Sequence, residues 1–197
     1  MNKIQLKGIL KNIEYSHTIN DIEFYKANLI VKRDNMNKED IISLKFKRFS
    51  NPYKENEEIN LIGNVRTYNH IAKDKTKVEI YVFTYFDKSN TEETNKVEVD
   101  GRICKKGKLR KTRAGKDVID FVLANNVKTD SQILNVYLPC VAWGKNAKVF
   151  NNLNIGDKIS IIGQLQSREY KKKISEDDFE IRICHELNVV TFDKIEG

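Results

Sequence analysis

Residues 158–169 read KISIIGQLQSRE, and residues 58–69 read EINLIGNVRTYN. In the later stretch Ile159, Ile161, Gly163 and Leu165 fall on one parity, and Ile162, Gln164, Gln166, Arg168 and, just beyond it, Tyr170 on the other. Period-2 alternation marks a strand with one face in a core. The same division recurs in the earlier stretch. Two further pairs flank these: NKIQLKG (2–8) with NKVEVDG (95–101), and FDK at 86–88 with FDK at 192–194. The three pairs come in the same order at offsets of 93, 100 and 106 residues. Three matches in register indicate an internal repeat rather than chance. The polar stretch SNTEET (89–94) reads as the linker between units 1–88 and 95–197.

Each copy reads as five strands. In the first they lie near 2–14, 22–33, 40–49, 57–69 and 76–86. In the second they lie near 95–104, 117–126, 134–143, 157–170 and 179–192. Between strands three and four of the second copy, KNAKVFNNL (145–153) sets Ala147, Val149, Phe150 and Leu153 at helical spacing. In the first copy SNPYKENEE (50–58) takes that place, and Pro52 argues against a full helix. Pro139 falls inside a strand, which calls for an unpaired edge or a bulge. Five strands with a helix between the third and fourth is the order of the OB fold, a small Greek-key barrel with its ligand face on strands two and three. The expected fold is all-β, two tandem OB-folds. A pair of unrelated small β-barrels is the competing reading.

The chain has 197 residues, a net charge of +7 and a mean hydropathy of −0.57. No apolar run reaches the ~20 residues of a membrane helix, and the N-terminus lacks the apolar core of a signal peptide. A cytoplasmic, nucleoid-associated protein is expected. Cys104, Cys140 and Cys184 are widely spaced with no CxxC, so they read as reduced core residues. His17, His70 and His185 are scattered without ligand spacing. No phosphate-loop or GxSxG motif occurs. The sequence therefore implies no enzyme, no metal and no cofactor, and the positive charge points to a polyanion.

The candidate binding residues follow from parity and charge. CKKGKLRKTRAGK (104–116) carries Lys105, Lys106, Lys108, Arg110, Lys111, Arg113 and Lys116 with no acid. A phosphate backbone would relieve their repulsion and release counterions; a solvated loop is the plain alternative. In strand three Val136, Leu138, Cys140 and Ala142 suit the core, and Tyr137, Val141 and Trp143 the outer face. Aromatic rings on an open basic face are stacking platforms for bases, although a core or subunit interface would also suit Trp143. Strand four adds Gln166, Arg168 and Tyr170, followed by Lys171, Lys172 and Lys173. The first copy repeats this more weakly with Lys45, Lys47 and Phe49, then Arg66, Tyr68 and His70. Its first hairpin, EYSHTINDIE (14–23), has no Lys or Arg.

GRICKKGKLRKTRAGKDVIDFVLANN (101–126) and YLPCVAWGKNAKVFNNLNIGDKISIIGQLQSREY (137–170) resemble the bacterial single-stranded DNA-binding protein family. The resemblance runs through nearly all of 95–192. It implies that Tyr137, Trp143 and Tyr170 stack on bases and that basic hairpin residues contact phosphates. The tandem form, whose first unit carries FY, VKR, DII and GNVRTYN, is similar to clostridial-type variants of that family. Family members act as tetramers of single OB units, so a homodimer of this chain would bring four together; a monomer is the other reading. Their acidic tail recruits replication and repair proteins. Here FDKIEG directly follows the fifth strand, so the resemblance does not carry that recruitment over. The expected function is non-enzymatic binding of single-stranded DNA in replication, recombination or repair. An OB-fold adaptor acting mainly through protein contacts is the alternative.

Overall fold

The computed structural model describes residues 1–33, 37–48, 54–72, 75–84, 93–129, 132–175 and 178–195. The first unit is built from β1 (Asn2–Ile19), β2 (Ile22–Lys32), β3 (Glu39–Lys47), β4 (Glu58–Ala72) and β5 (Lys75–Thr84). The second comprises β6 (Asn95–Lys106), the two-residue β7 (Arg110–Lys111), β8 (Asp117–Lys128), β9 (Ile133–Trp143), α1 (Gly144–Phe150), β10 (Lys158–Lys173) and β11 (Phe179–Lys194). The seven-residue α1 is the one helix among the described residues, and no helix is long and apolar enough to cross a membrane.

Each unit closes on itself. In the first, β1 pairs with β2 and β4, β2 with β3, β4 with β5, and β3 meets β5 in a short parallel contact. In the second, β6, β8, β9, β11 and β10 repeat this ring, again with one parallel contact, between β11 and β9. Closure leaves little open sheet edge. The alternation read from the sequence holds: Ile4, Leu6, Leu29, Ile42, Leu61 and Val82 fill one barrel, and Val97, Leu123, Leu138, Ile159, Ile161 and Leu165 the other. The parallel contact to β9 begins at Cys140, one residue after Pro139. The proline therefore lies where the outer edge of β9 is unpaired, as its missing N–H requires.

The repeated segment at the start of each unit also joins them. β1 and β6 pair antiparallel, with Asn2 opposite Val99, Ile4 opposite Val97 and Leu6 opposite Asn95. Because position 2 corresponds to 95, this ladder maps onto itself around the Ile4–Val97 pair. The glycines that close NKIQLKG and NKVEVDG mark where each strand leaves the other unit for its own second strand: β1 pairs with β2 from Ile9, and β6 with β8 from Arg102. A Cβ on Gly101 would sit 2.5 Å from the Ala124 carbonyl oxygen, and one on Gly8 would meet the Ile30 oxygen in the same way. Only glycine permits that close crossing. Asn2 clamps Val65 through its amide and carbonyl (2.9 Å each), and Asn95 clamps Leu165 likewise (2.7 and 3.0 Å).

Three expectations change. Val149 is 48% exposed, whereas Ala147 and Phe150 of the expected apolar face are buried and Leu153 packs against the core. Cys104 is exposed rather than core, because the β6–β8 register shifts between Ile103 and Lys105 and turns it outward. The β1–β2 hairpin is tighter than read: strands run to Ile19 and from Ile22, joined by Asn20 and Asp21 at φ of 47° and 59°. Two consecutive left-handed residues are the two-residue hairpin turn that Asn and Asp tolerate best. Residues 89–92 of the expected linker lie outside the described residues.

Candidate nucleic-acid interface

Tyr137 and Trp143 stand out from β9, 45% and 41% exposed. Six residues apart, they are separated by ~20 Å along the strand. Trp143 ends β9, and Gly144 turns the chain into α1 at φ 54°. Across the ladder Trp143 pairs with Val118, which pairs in turn with Arg110 of the basic hairpin. Paired residues share a sheet face, so the ring and Arg110 belong to one surface. Val141, expected on this face, is buried at 3%. It is paired on both flanks, to Asp120 and Asn188, whereas β9 at Tyr137 has an open edge towards β11.

The basic hairpin sorts its own charges. Lys106 is structural: its ammonium donates to the Asn151 and Leu153 carbonyls (2.8 and 2.6 Å), satisfying groups just past the helix end. Arg110 pairs with Asp120 at 2.5 Å and Lys111 with Asp117 at 3.0 Å. The hydrogen bond from Lys111, ahead of one from Lys148, holds the Asp117 carboxyl below the usual carboxylate range. The loop carries no acid, but β8 supplies two. No described carboxylate lies within ion-pair distance of Lys105, Lys108, Arg113 or Lys116.

The β10–β11 hairpin lies elsewhere. Ser167 Oγ accepts from the Ile41 backbone N–H at 3.0 Å, which lays the hairpin across β3 of the first unit. Asp40, fully buried, accepts from Arg33 Nε and Nη2 (2.9 and 2.7 Å) and from the Ser167 backbone N–H at 2.6 Å. Arg33 also donates to the Ser167 carbonyl, and a His185 ring nitrogen lies 2.7 Å from the Ile41 oxygen. Arg168 and Tyr170 therefore line a groove with Ile41 and Ser43, and neither Tyr137 nor Trp143 borders it. The distant Glu186, 3.8 Å away, leaves Arg168 61% exposed. Lys171 and Lys173 are exposed and Lys172 half-buried. The reverse contact also exists: Tyr137 N–H donates to Thr67 Oγ1 of β4 at 3.2 Å.

On the first unit Tyr68 is 54% exposed, and Lys45 sits 5.8 Å from its ring and 4.2 Å from that of Tyr81. Lys45 and Lys47 are half-buried. Arg66, expected outside, is 8% exposed, its guanidinium 4.0 Å from the Phe83 ring centre. Thr129 and Gln132 from the β8–β9 connection and Leu134 of β9 border the same hollow, so the other unit helps to cover it. Phe49 and the His70 side chain lie outside the described residues. Parity did not reveal Arg33, Asp40, Thr67, Ser167 or His185 as joining groups. The unusual feature visible in sequence was an Asp beside Ile-Ile in a strand.

Two OB barrels, with exposed aromatics on a third strand beside a basic hairpin, define an OB-fold binding protein. Residues 94–192 match the model of the single-strand binding protein family, and the chain belongs to that family. Two solved structures share its whole length. The wild-type single-stranded DNA binding protein from Thermus aquaticus superposes with a TM-score of 0.75 at 17% identity, covering 100% of this chain and 94% of that one. A deletion mutant of the same Thermus aquaticus protein gives 0.74 at 17% identity, covering 100% and 95%. No curated protein sequence matches. At this identity the structural likeness establishes the tandem OB fold.

Proposed function

We propose that the protein binds single-stranded DNA with little sequence preference and without catalysis, in replication, recombination or repair. The observation that carries this is Trp143, exposed at the end of β9 and one strand removed from Arg110 in the basic hairpin. Stacking on an exposed ring adds ~1–3 kcal/mol per base and accepts any base, because every base has a π-face. Lys105, Lys108, Arg113 and Lys116 then meet the phosphates, and binding releases their counterions. Units 1–88 and 95–197, joined at 89–94, act as one body through the β1–β6 ladder, and a homodimer would assemble four barrels.

Trp143 is the chain's one tryptophan, so its fluorescence reports the site directly. Titration with oligo(dT) is expected to quench it. The affinity should fall as salt rises, with a slope of about −3 for four released contacts. Equal quenching by duplex DNA, or no quenching by oligo(dT), would overturn the reading. An RNA oligomer in the same titration tests discrimination, since stacking by itself does not sense the 2′-hydroxyl.

A further inference from the structure

β11 closes its barrel over only part of its length. One edge pairs with β10 from Lys194 to Phe179, whereas the other meets β9 at Leu187 and Asn188. From Phe179 to Ile183 that second edge has no strand partner among the described residues. The run spans ~17 Å. Its N–H and C=O groups are a template for a further strand, which sheets commonly block with a bulge or a proline. Neither occurs here: the β10–β11 register is unbroken from the Gly163–Val189 pair to the Lys173–Phe179 pair.

The two faces of this edge differ. Phe179, Ile181 and Ile183 share one parity, and the first two are 54% and 63% exposed. On the other parity Arg182 lies opposite Tyr170, Glu180 opposite Lys172 and Cys184 opposite Arg168, and paired residues share a face. Glu180 accepts from Arg182 Nε at 2.6 Å, and Glu186 lies 3.8 Å from Arg168. One face is therefore apolar and the other carries Arg168, Lys172 and Arg182. A groove of about 690 Å³ runs here, lined by Ile181, Ile183 and Arg168 and, from the first unit, by Ile41, Val78 and Glu79. Neither barrel has this groove alone.

We infer that the open edge of β11 is a docking site for an extended peptide of a partner protein, added as a further strand, in which apolar and acidic residues alternate. The peptide backbone takes up the unpaired N–H and C=O groups. Its side chains alternate between faces, so one parity packs on Phe179, Ile181 and Ile183 and the other meets the cations. Charge decides the occupant. A second copy's β11 would set Arg168, Lys172 and Arg182 against themselves, whereas carboxylates on every second residue pair with them. Trp143 does not border this groove, so the site is separate from the one proposed for DNA and does not depend on it.

The test uses the full chain and a fluorescein-labelled peptide of eight alternating valines and aspartates, followed by anisotropy. The peptide is expected to bind, and to bind about tenfold more weakly when alternate backbone amides on its pairing edge are methylated, because the side chains stay and the strand hydrogen bonds go. A valine–lysine peptide should not bind. Ile181→Asp, at an exposed position, should lower peptide affinity about tenfold and leave the quenching of Trp143 by oligo(dT) unchanged. Arg168→Ala should weaken the peptide and flatten its salt dependence. No binding of the valine–aspartate peptide, equal binding of its methylated form, or unchanged affinity in both folded variants would overturn the site and leave the proposed function standing. Displacement of the peptide by oligo(dT) from the Trp143→Ala variant would assign the groove to nucleic acid and overturn it also.

Discussion

The two barrels share a fold and differ in where they place charge. In the second, the hairpin leading to β8 is crowded with cations, and Trp143 stands beside it. In the first, the equivalent hairpin is a ladder with two register shifts, closed by Asn20 and Asp21, with Glu14 held by Lys26 and Glu23 by Arg48. The register of β3 on β5 and of β9 on β11 places Asp40 at the position of Val136, and Lys47 at that of Trp143. Val136 is an ordinary buried apolar residue, whereas Asp40 is a buried carboxylate. The first unit thus uses a buried ion pair to hold its neighbour's hairpin, and the second keeps its cations for the surface. Identical backbone rings tolerate this because barrel closure needs only the apolar parity and the crossing glycines.

The largest effect should come from breaking that difference at its buried end. Asp40→Ala removes the carboxylate partner of the Arg33 guanidinium and the acceptor of the Ser167 N–H, a loss of ~3–5 kcal/mol; denaturant unfolding of the full chain measures it. Next comes Trp143→Ala, expected to weaken oligo(dT) binding by ~1–3 kcal/mol at unchanged stability, followed by anisotropy of a labelled oligomer. Replacing Lys105, Lys108, Arg113 and Lys116 with Ala should flatten the salt slope of binding by about 3. The same measurement on Arg110→Ala and Lys111→Ala should show a smaller change, because their charges are already shared with Asp120 and Asp117. The smallest is Thr67→Val, which removes one neutral hydrogen bond to Tyr137 and should cost ~1 kcal/mol of stability. Equal losses for Thr67→Val and Asp40→Ala would erase the asymmetry between the two joints.

Much of the fold was legible along the chain. Alternation in KISIIGQLQSRE and EINLIGNVRTYN marked the strands, and the repeated NKIQLKG and NKVEVDG marked the two units. Tyr137, Trp143 and Tyr68 lie exposed, as parity placed them. The exceptions each involve a partner distant in sequence. Arg66 lies against Phe83 in a hollow bordered by residues of the other barrel, Val141 is flanked by β8 and β11, and Lys106 reaches carbonyls beyond α1.

Which side chains face a core could be read from the chain, because period-2 alternation is local and burial of one face drives it. The positive hairpin could be read there too, since charge density is a property of consecutive residues. Which barrel each surface serves was settled by the packing of the two units. Tyr170 and Arg168 belong to the second unit in sequence but face β3 of the first, since Ser167 bonds to Ile41 and Asp40 more than a hundred residues away. Strand parity tells whether a residue points in or out; it carries no information about what another chain segment will lay against it.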